Sequence, residues 1–308
     1  MQMRTLMRRP FLYWYVAAAA LLVVAGGIWW NKVSTDPHHV FWGMVHQSLS
    51  TQAVTIQASQ QANGTSVKQT VQYSLGATNM SHAITTLSQP GTSVTDEMIG
   101  TPAADFTRYV DINTTQQSQS GKPLDFSKVL GVWAKSDTTT AARSGGTAVL
   151  LSQAVLGTGL PLGGVAVPIA NLSPDLRAKL EGQIRGQNVY QVNFATVKKS
   201  QQHGREVYTY DVTLQPILYA SMLKRYAQYV GMHNLDQLDV NSFAGQQSLA
   251  LQLTVDVRSH HLVSARAGNS AGSTTQTYTS YDVPVRVSLP KNAVSATELQ
   301  TRLSNLQK

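Results

Sequence analysis

Apolar and polar positions along this chain change period several times, and each change marks an element. Phe11 to Trp30 is an unbroken run of 20 residues without a charge. At 1.5 Å per residue a helix of that length spans roughly 30 Å, the thickness of a bilayer's hydrocarbon core. His38 to Leu49 then reads as an amphipathic helix, with Phe41, Trp42, Val45 and Leu49 on one face. From Val54 the period drops to two. Val54, Ile56 and Ala58 alternate with polar residues, Asn63-Gly64 supplies a tight turn, and Val71, Tyr73 and Leu75 alternate on the return, which predicts an antiparallel hairpin. Strands are predicted at Ser81 to Leu87, Ser93 to Ile99 and Phe106 to Ile112, separated by Gly, Pro or Asn.

The middle of the chain departs from this rhythm. Thr147 to Leu172 is rich in glycine, strongly apolar and free of charge. Such a segment has too many glycines for a rigid core helix and too little charge for a solvent loop. Two readings stand: a mobile apolar lid, or a buried loop that caps the core. Ser173, Pro174 and Asp175 have the residue types of a helix start, and Leu176, Leu180 and Ile184 follow four apart. Tyr190, Val192 and Phe194 alternate as a strand. After a turn at His203-Gly204, so do Tyr208, Tyr210, Val212 and Leu214. Pro216 opens a helix to Gly231 that carries Tyr219, Met222, Leu223, Tyr226 and Val230 on one side. Leu249, Leu251, Leu253, Val255 and Val257 form the cleanest strand. Arg258 to His261 turns it into a strand through Val263 and Ala265, and Thr274 to Tyr281 and Val285 to Leu289 complete the set. About ten strands result, with helices on one face: an α+β chain built on a large antiparallel sheet.

Charge and composition orient this fold and narrow its chemistry. Arg4, Arg8 and Arg9 precede the apolar run, while Tyr13 to Tyr15 and Trp29-Trp30 supply aromatic belts at its two ends. This pattern predicts an uncleaved single-pass anchor, with residues 1–10 cytoplasmic, 11–30 in the membrane, 31–37 a linker, 38–290 an extracytoplasmic domain and 291–308 a polar tail. The competing reading is a signal peptide cut after the small residues Val23 and Ala25. The net charge is +8 over 308 residues, yet the basic residues are scattered with no run of like charge, so no nucleic-acid partner is expected. With no cysteine, disulfides, thiolate zinc sites, a cysteine nucleophile and an acylated cysteine are all excluded.

No catalytic constellation is legible, and no enzyme, cofactor or metal is expected. Gly268-Asn269-Ser270-Ala271-Gly272 matches Gly-x-Ser-x-Gly, but it joins two predicted strands and so lacks the strand-to-helix turn of a nucleophile elbow. The glycines at 157, 159, 163 and 164 follow no predicted strand, so they do not read as a phosphate loop. The pairs His38-His39 and His260-His261 fall at predicted termini or turns and read as exposed histidines. Asp105, Asp111, Asp211 and Asp256 sit on different strands with no spacing that defines a carboxylate pair.

The order of elements resembles the lipoprotein-carrier (LolA-like) superfamily, in particular the LppX and LprG type of lipid-binding envelope lipoproteins. The resemblance rests on the first helix and its hairpin from Val54 to Leu75, and on Asn188 to Phe194 followed by Arg205 to Leu214. It rests also on Leu253 to Arg266, a strand, turn, Leu and strand, and on Tyr278 to Pro290, a closing pair that ends in proline. It implies a half-open barrel whose concave face carries helices over an apolar cavity for acyl chains. The cavity wall would then comprise Tyr190, Val192, Phe194, Tyr208, Tyr210 and Val212 with Leu251, Leu253 and Val255. Tyr219, Met222, Leu223 and Tyr226 would roof it, and Leu150, Leu151, Val155, Leu156, Leu160 and Leu162 would form its lid. The expected partners are the membrane, a lipid or lipophilic small molecule, and an envelope protein. The departure from that family is a membrane-spanning helix in place of a lipidated cysteine. The alternative is an envelope sensor or interaction module on the same fold without a lipid.

Overall fold

The computed structural model describes residues 34–62, 64–75, 79–101, 103–137, 166–231, 235–236, 238–269, 272–283, 286 and 288–306. The apolar run 11–30 and the positions Leu150, Leu151, Val155, Leu156, Leu160 and Leu162 lie outside them. Among the described residues no helix is long and apolar enough to cross a membrane.

The domain is α+β, built on one large open sheet that has thirteen strands among the described residues. In chain order these are β1 (Ala53–Ala62), β2 (Thr65–Leu75), β3 (Asn79–Gln89), β4 (Thr92–Gly100), β5 (Ala104–Thr114), β6 (Ala134–Asp137), β7 (Tyr190–Val192), β8 (Lys198–Gln202), β9 (Arg205–Leu214), β10 (Leu249–Asp256), β11 (Leu262–Asn269), β12 (Gly272–Thr279) and β13 (Val294–Ser295). Their spatial order is β13-β6-β5-β4-β3-β2-β1-β12-β11-β10-β9-β7, with β8 paired to β9. All pairings are antiparallel except β13 on β6. The N-terminal meander and the C-terminal strands are thus joined through β1 and β12. Four α-helices accompany the sheet among the described residues: α1 (Pro37–Ser48), α2 (Pro174–Gly186), α3 (Pro216–Tyr229) and α4 (Ala296–Leu306).

Local sequence explains most of these elements. Asp36 caps α1 by accepting from the backbone N–H groups of His38 and His39, and Pro37 pre-sets the first turn. Val40, Phe41, Met44 and Val45 are then wholly buried on one face. In the β1–β2 hairpin Ala62 faces Thr65 across a two-residue loop, and Gly64 adopts φ +77°, as such a turn demands. The β8–β9 hairpin repeats the device, with His203 at φ 50° and Gly204 at φ 76°. A bulge between Thr254 and Val255 shifts the register, so that Leu262 rather than Val263 turns inward on β11.

Several predicted elements are corrected. Phe194 does not extend β7: Asn193 accepts from the backbone N–H of Ala195 and folds Phe194–Thr196 into a 3-10 turn. No strand forms at residues 286 and 288–290, where a closing strand was expected. The C-terminal segment, read as a polar tail, instead pairs β13 with β6 and buries Leu299 of α4 in a small cluster with Val129 and Ala134. Ser173 stands at the start of α2 without a side-chain capping bond.

Candidate functional site

The strand register sorts side chains onto two faces. On the inward face Tyr278, Ile56, Val71, Ala83 and Met98 stand side by side across β12, β1, β2, β3 and β4. Helices α1 and α3 complete the core from the same side, with Phe41, Met44, Tyr219, Met222, Leu223 and Tyr226. The residues expected to line a cavity are this core. Tyr190, Tyr210, Tyr219, Met222, Leu223, Tyr226, Leu253 and Val255 are each at most 2% exposed, and Tyr208, Val212 and Leu251 are also buried. Val192 and Phe194 are half-buried against them.

The buried tyrosines find partners for their hydroxyls. Tyr190 Oη donates to the carbonyl of Ala166 at 2.9 Å, and Tyr226 Oη to that of Ile169 at 2.6 Å. Tyr208 and Tyr210 donate to the carbonyls of Thr35 and Pro37, each at 2.9 Å. Burial pushes the Tyr190, Tyr219 and Tyr226 hydroxyls well above their ordinary range, so they remain neutral donors. These bonds hold 166–172, the end of the apolar insertion, as a buried strap. Val167, Ile169, Ala170 and Leu172 are buried, and the Ala170 and Leu172 N–H groups donate to the carbonyls of Ser48 and Leu49. For these residues the capping-loop reading holds.

Beyond the helices the inward face changes character. One row across it reads Gln276, Ala58, Gln69, Thr85, Asp96 and Tyr109 in register. Gln69 Nε2 donates to Thr85 Oγ1 at 3.3 Å, and Tyr278 Oη donates to Gln276 Oε1 at 2.7 Å. Burial raises the Asp96 carboxyl, opposed by hydrogen bonds from its own backbone and from Thr85. The next row is Val67, Leu87, Val94 and Ile112, four apolar side chains in register and all half-buried. At a strand spacing of about 4.8 Å this strip is roughly 14 Å wide. Where the strands reach β10 and β11, a narrow space lies between Ala166, Leu251, Ala265, Ala267, Thr274 and Gln276. Ala166 is the first described residue after 138–165, so the apolar insertion rejoins the fold on this face.

The other face of the sheet is polar. Glu97 accepts from Arg108 Nε at 2.6 Å and lies 2.8 Å from His82 Nε2, while Arg108 also stacks over the Trp133 ring at 4.7 Å. Partial burial pushes the Glu97 carboxyl up, but the hydrogen bonds from His82 and Arg108 outweigh it and hold it below the usual range. At the β7, β9, β10 and β11 end of the sheet, an open cleft of about 810 Å³ is lined by residues of both phases, Gln191, Asn193, Asp211, Gln252 and Arg266 together with Val192, Val212 and Leu251. No group of three or more metal-ligating side chains occurs among the described residues.

The polar row and the apolar strip were not among the expected site residues. A signal was present: Gln69 stands in the inward phase of β2 between Val67 and Val71, and Asp96 in that of β4 between Val94 and Met98. A polar residue in a buried phase marks a departure from an all-apolar core, where a hydrogen-bond partner is needed.

No family model matches the chain, and no curated protein matches it. Solved structures do. LprF from Mycobacterium bovis is similar at 11% identity and a TM-score of 0.41, over 82% of this chain and 96% of that one. Lipoprotein LppX of Mycobacterium tuberculosis is similar at 10% identity and a TM-score of 0.32, over 83% and 99%. A DUF1329 family protein from Desulfovibrio piger is similar at 10% identity and a TM-score of 0.27, over 83% and 94%.

Proposed function

We propose that the chain is a membrane-tethered extracytoplasmic protein that binds a lipid or other lipophile on the inward face of β2 to β5, with residues 147–165 of the apolar insertion as its cover. One observation carries this reading. The inward face is solid core under the helices, yet continues as the half-buried apolar row Val67, Leu87, Val94 and Ile112, with the polar row Gln69, Thr85 and Asp96 beside it. Leaving such a row in water forgoes about 25 cal/mol per Å² of apolar surface, and an acyl chain laid along it recovers that energy. On this reading Leu150, Leu151, Val155, Leu156, Leu160 and Leu162 close over the ligand from the cover side. Tyr190, Tyr210, Leu253 and their neighbours act as the rigid wall that fixes the strip, not as its lining.

The test is mass spectrometry of the chain purified from its native host membrane. Copurified acyl species are expected, and their loss is expected from Leu87→Arg with Val94→Arg, a pair at half-buried positions that leaves the core untouched. Hydrogen exchange across residues 147–172 should slow when the ligand is bound. A wild-type chain that is empty, with exchange there indifferent to lipid extract, favours the second reading, an envelope sensor or interaction module. The dense packing around Tyr190, Tyr210 and Tyr219 speaks for that alternative.

A further inference from the structure

The cations of β1 to β6 and β12 all stand on one face of the sheet. Lys68, His82, Arg108 and Lys135 take the outward phase, away from the row of Ile56, Val71, Ala83 and Met98. The inward phase of the same strands holds two carboxylates, Asp96 and Asp105, and no cation among the described residues. Asp105 is buried two rows away from Asp96 and has contacts of its own. Adjacent acids of β4 therefore differ sharply. Glu97, on the outward face, takes His82 at 2.8 Å and Arg108 Nε at 2.6 Å, whereas Asp96 accepts from its own backbone and from Thr85 and pairs with no cation among the described residues.

Asp96 also borders the apolar strip. It stands one inward row from Val94, about 7 Å along the strand, and Val94 has Leu87 and Ile112 to either side. The next inward row beyond the strip is polar again: Gln89, Thr92 and Thr114 face one another in register, and the Thr92 and Thr114 hydroxyls lie 3.0 Å apart. The strip is thus one side chain wide between two hydrogen-bonding rows, which suits one apolar chain rather than a pair. Burial raises the Asp96 carboxyl, so its ionised form is penalised in the empty site. An ammonium seated beside it offsets that penalty, and an anionic headgroup adds to it. A hydroxyl gives less than an ammonium, because a hydrogen bond with both partners charged is stronger than one with a neutral donor.

On the reading that this strip holds a lipophile, we propose that its ligand joins an acyl or alkyl chain to a protonated amino group, with the chain along Val67, Leu87, Val94 and Ile112 and the ammonium on Asp96. Charge complementarity selects this class: the one charged side chain beside the strip is an acid, and the face that carries it has no cation to receive a phosphate or carboxylate among the described residues. A mainly apolar site with a single placed polar group fixes the orientation of its ligand through that group. Asp96 would so set which end of the chain lies toward the helices.

The test uses the full chain in nanodiscs of phosphatidylcholine, whose headgroups carry no net charge. Three probes share one chain with a photoreactive diazirine and differ in the headgroup: dodecylamine, dodecanol and laurate. After illumination at neutral pH, peptide mass spectrometry locates the cross-links. The amine should label residues 87–96 several-fold more than the alcohol, and laurate should label them least. Asp96→Asn, checked by a thermal melt for folding, should remove the amine's advantage over the alcohol, and Asp96→Glu should retain much of it. Asp111→Asn, at an exposed acid of the outward face, should leave the advantage intact. Equal labelling by amine and alcohol, stronger labelling by laurate, or an advantage that survives Asp96→Asn overturns the amine class while the lipophile reading stands. Wild-type chain labelled there by none of the three probes overturns both.

Discussion

Leu253 and Asp96 occupy the same face of the sheet and have opposite consequences for stability. Leu253 is fully buried between the Tyr210 and Ala265 positions of its neighbouring strands, so Leu253→Ala is expected to cost about 2–5 kcal/mol in denaturant unfolding. Leu253→Arg should abolish folding, since an unpaired buried charge costs several kcal/mol, on the order of a domain's whole stability. Asp96 has its carboxyl raised by burial, so its ionised form is penalised in the folded state. That penalty is complete above the folded pKa and absent below the unfolded one, near 3.9. Asp96→Asn should therefore raise the melting temperature at neutral pH, with the gain fading as the pH falls into the acid range. Glu97, one residue on and on the opposite face, is depressed by His82 and Arg108, and its contribution has the reverse sign. Glu97→Gln should lower stability at neutral pH and lose that effect in acid. Thermal melts of the two variants across pH separate the faces. Phases were legible here, since Val67, Gln69 and Val71 visibly share one. Which inward residues meet helices and which meet open space was not, because that depends on where α1 and α3 lie.

Among the elements, those with strong internal periodicity were read correctly and those without it were missed. The β1–β2 hairpin, α1, α3 and β10 all carry alternating or fourfold apolar spacing next to explicit turn or cap residues. β8 is Lys-Lys-Ser-Gln-Gln, exposed at every position, and exists only because β9 offers it a partner. β6 and β13 are short and stabilise each other. The same dependence predicts the role of the C-terminus. Leu299 of α4, with Leu303 and Leu306, closes the small cluster around Val129 and Ala134 at the end of the sheet. Removing residues 291–308 should accelerate hydrogen exchange over Ala134–Asp137 and lower the denaturant midpoint, while β9, β10 and β11 stay protected. Unchanged exchange at β6 would show that α4 contributes nothing to that edge.

At the scale of the whole molecule, the anchor and the domain make one prediction together. On the proposal that residues 11–30 remain as an anchor with the arginines on its cytoplasmic side, N-terminal sequencing of membrane-extracted protein should find an uncut chain. A mature N-terminus near Gly26 would contradict it. The sheet's spatial order, with β1 beside β12, requires both halves of the chain before its central pairing can form. Contacts so distant in sequence are slow to close, and folding on a scale of milliseconds to seconds is expected in stopped-flow refolding of the domain.

The sequence by itself determined the α+β class, the strand phases, the turns at Asn63-Gly64 and His203-Gly204, and the apolar run before the domain. These are written in periodicity and in residues with restricted backbones, which act within a few positions of themselves. Tertiary structure alone decided that Tyr190, Tyr210 and Leu253 are closed core, that Val67, Leu87, Val94 and Ile112 stand half-buried in one row, and that His39 meets His260. Each of these depends on which strands become neighbours and how far three helices extend across them, and no local pattern carries that information.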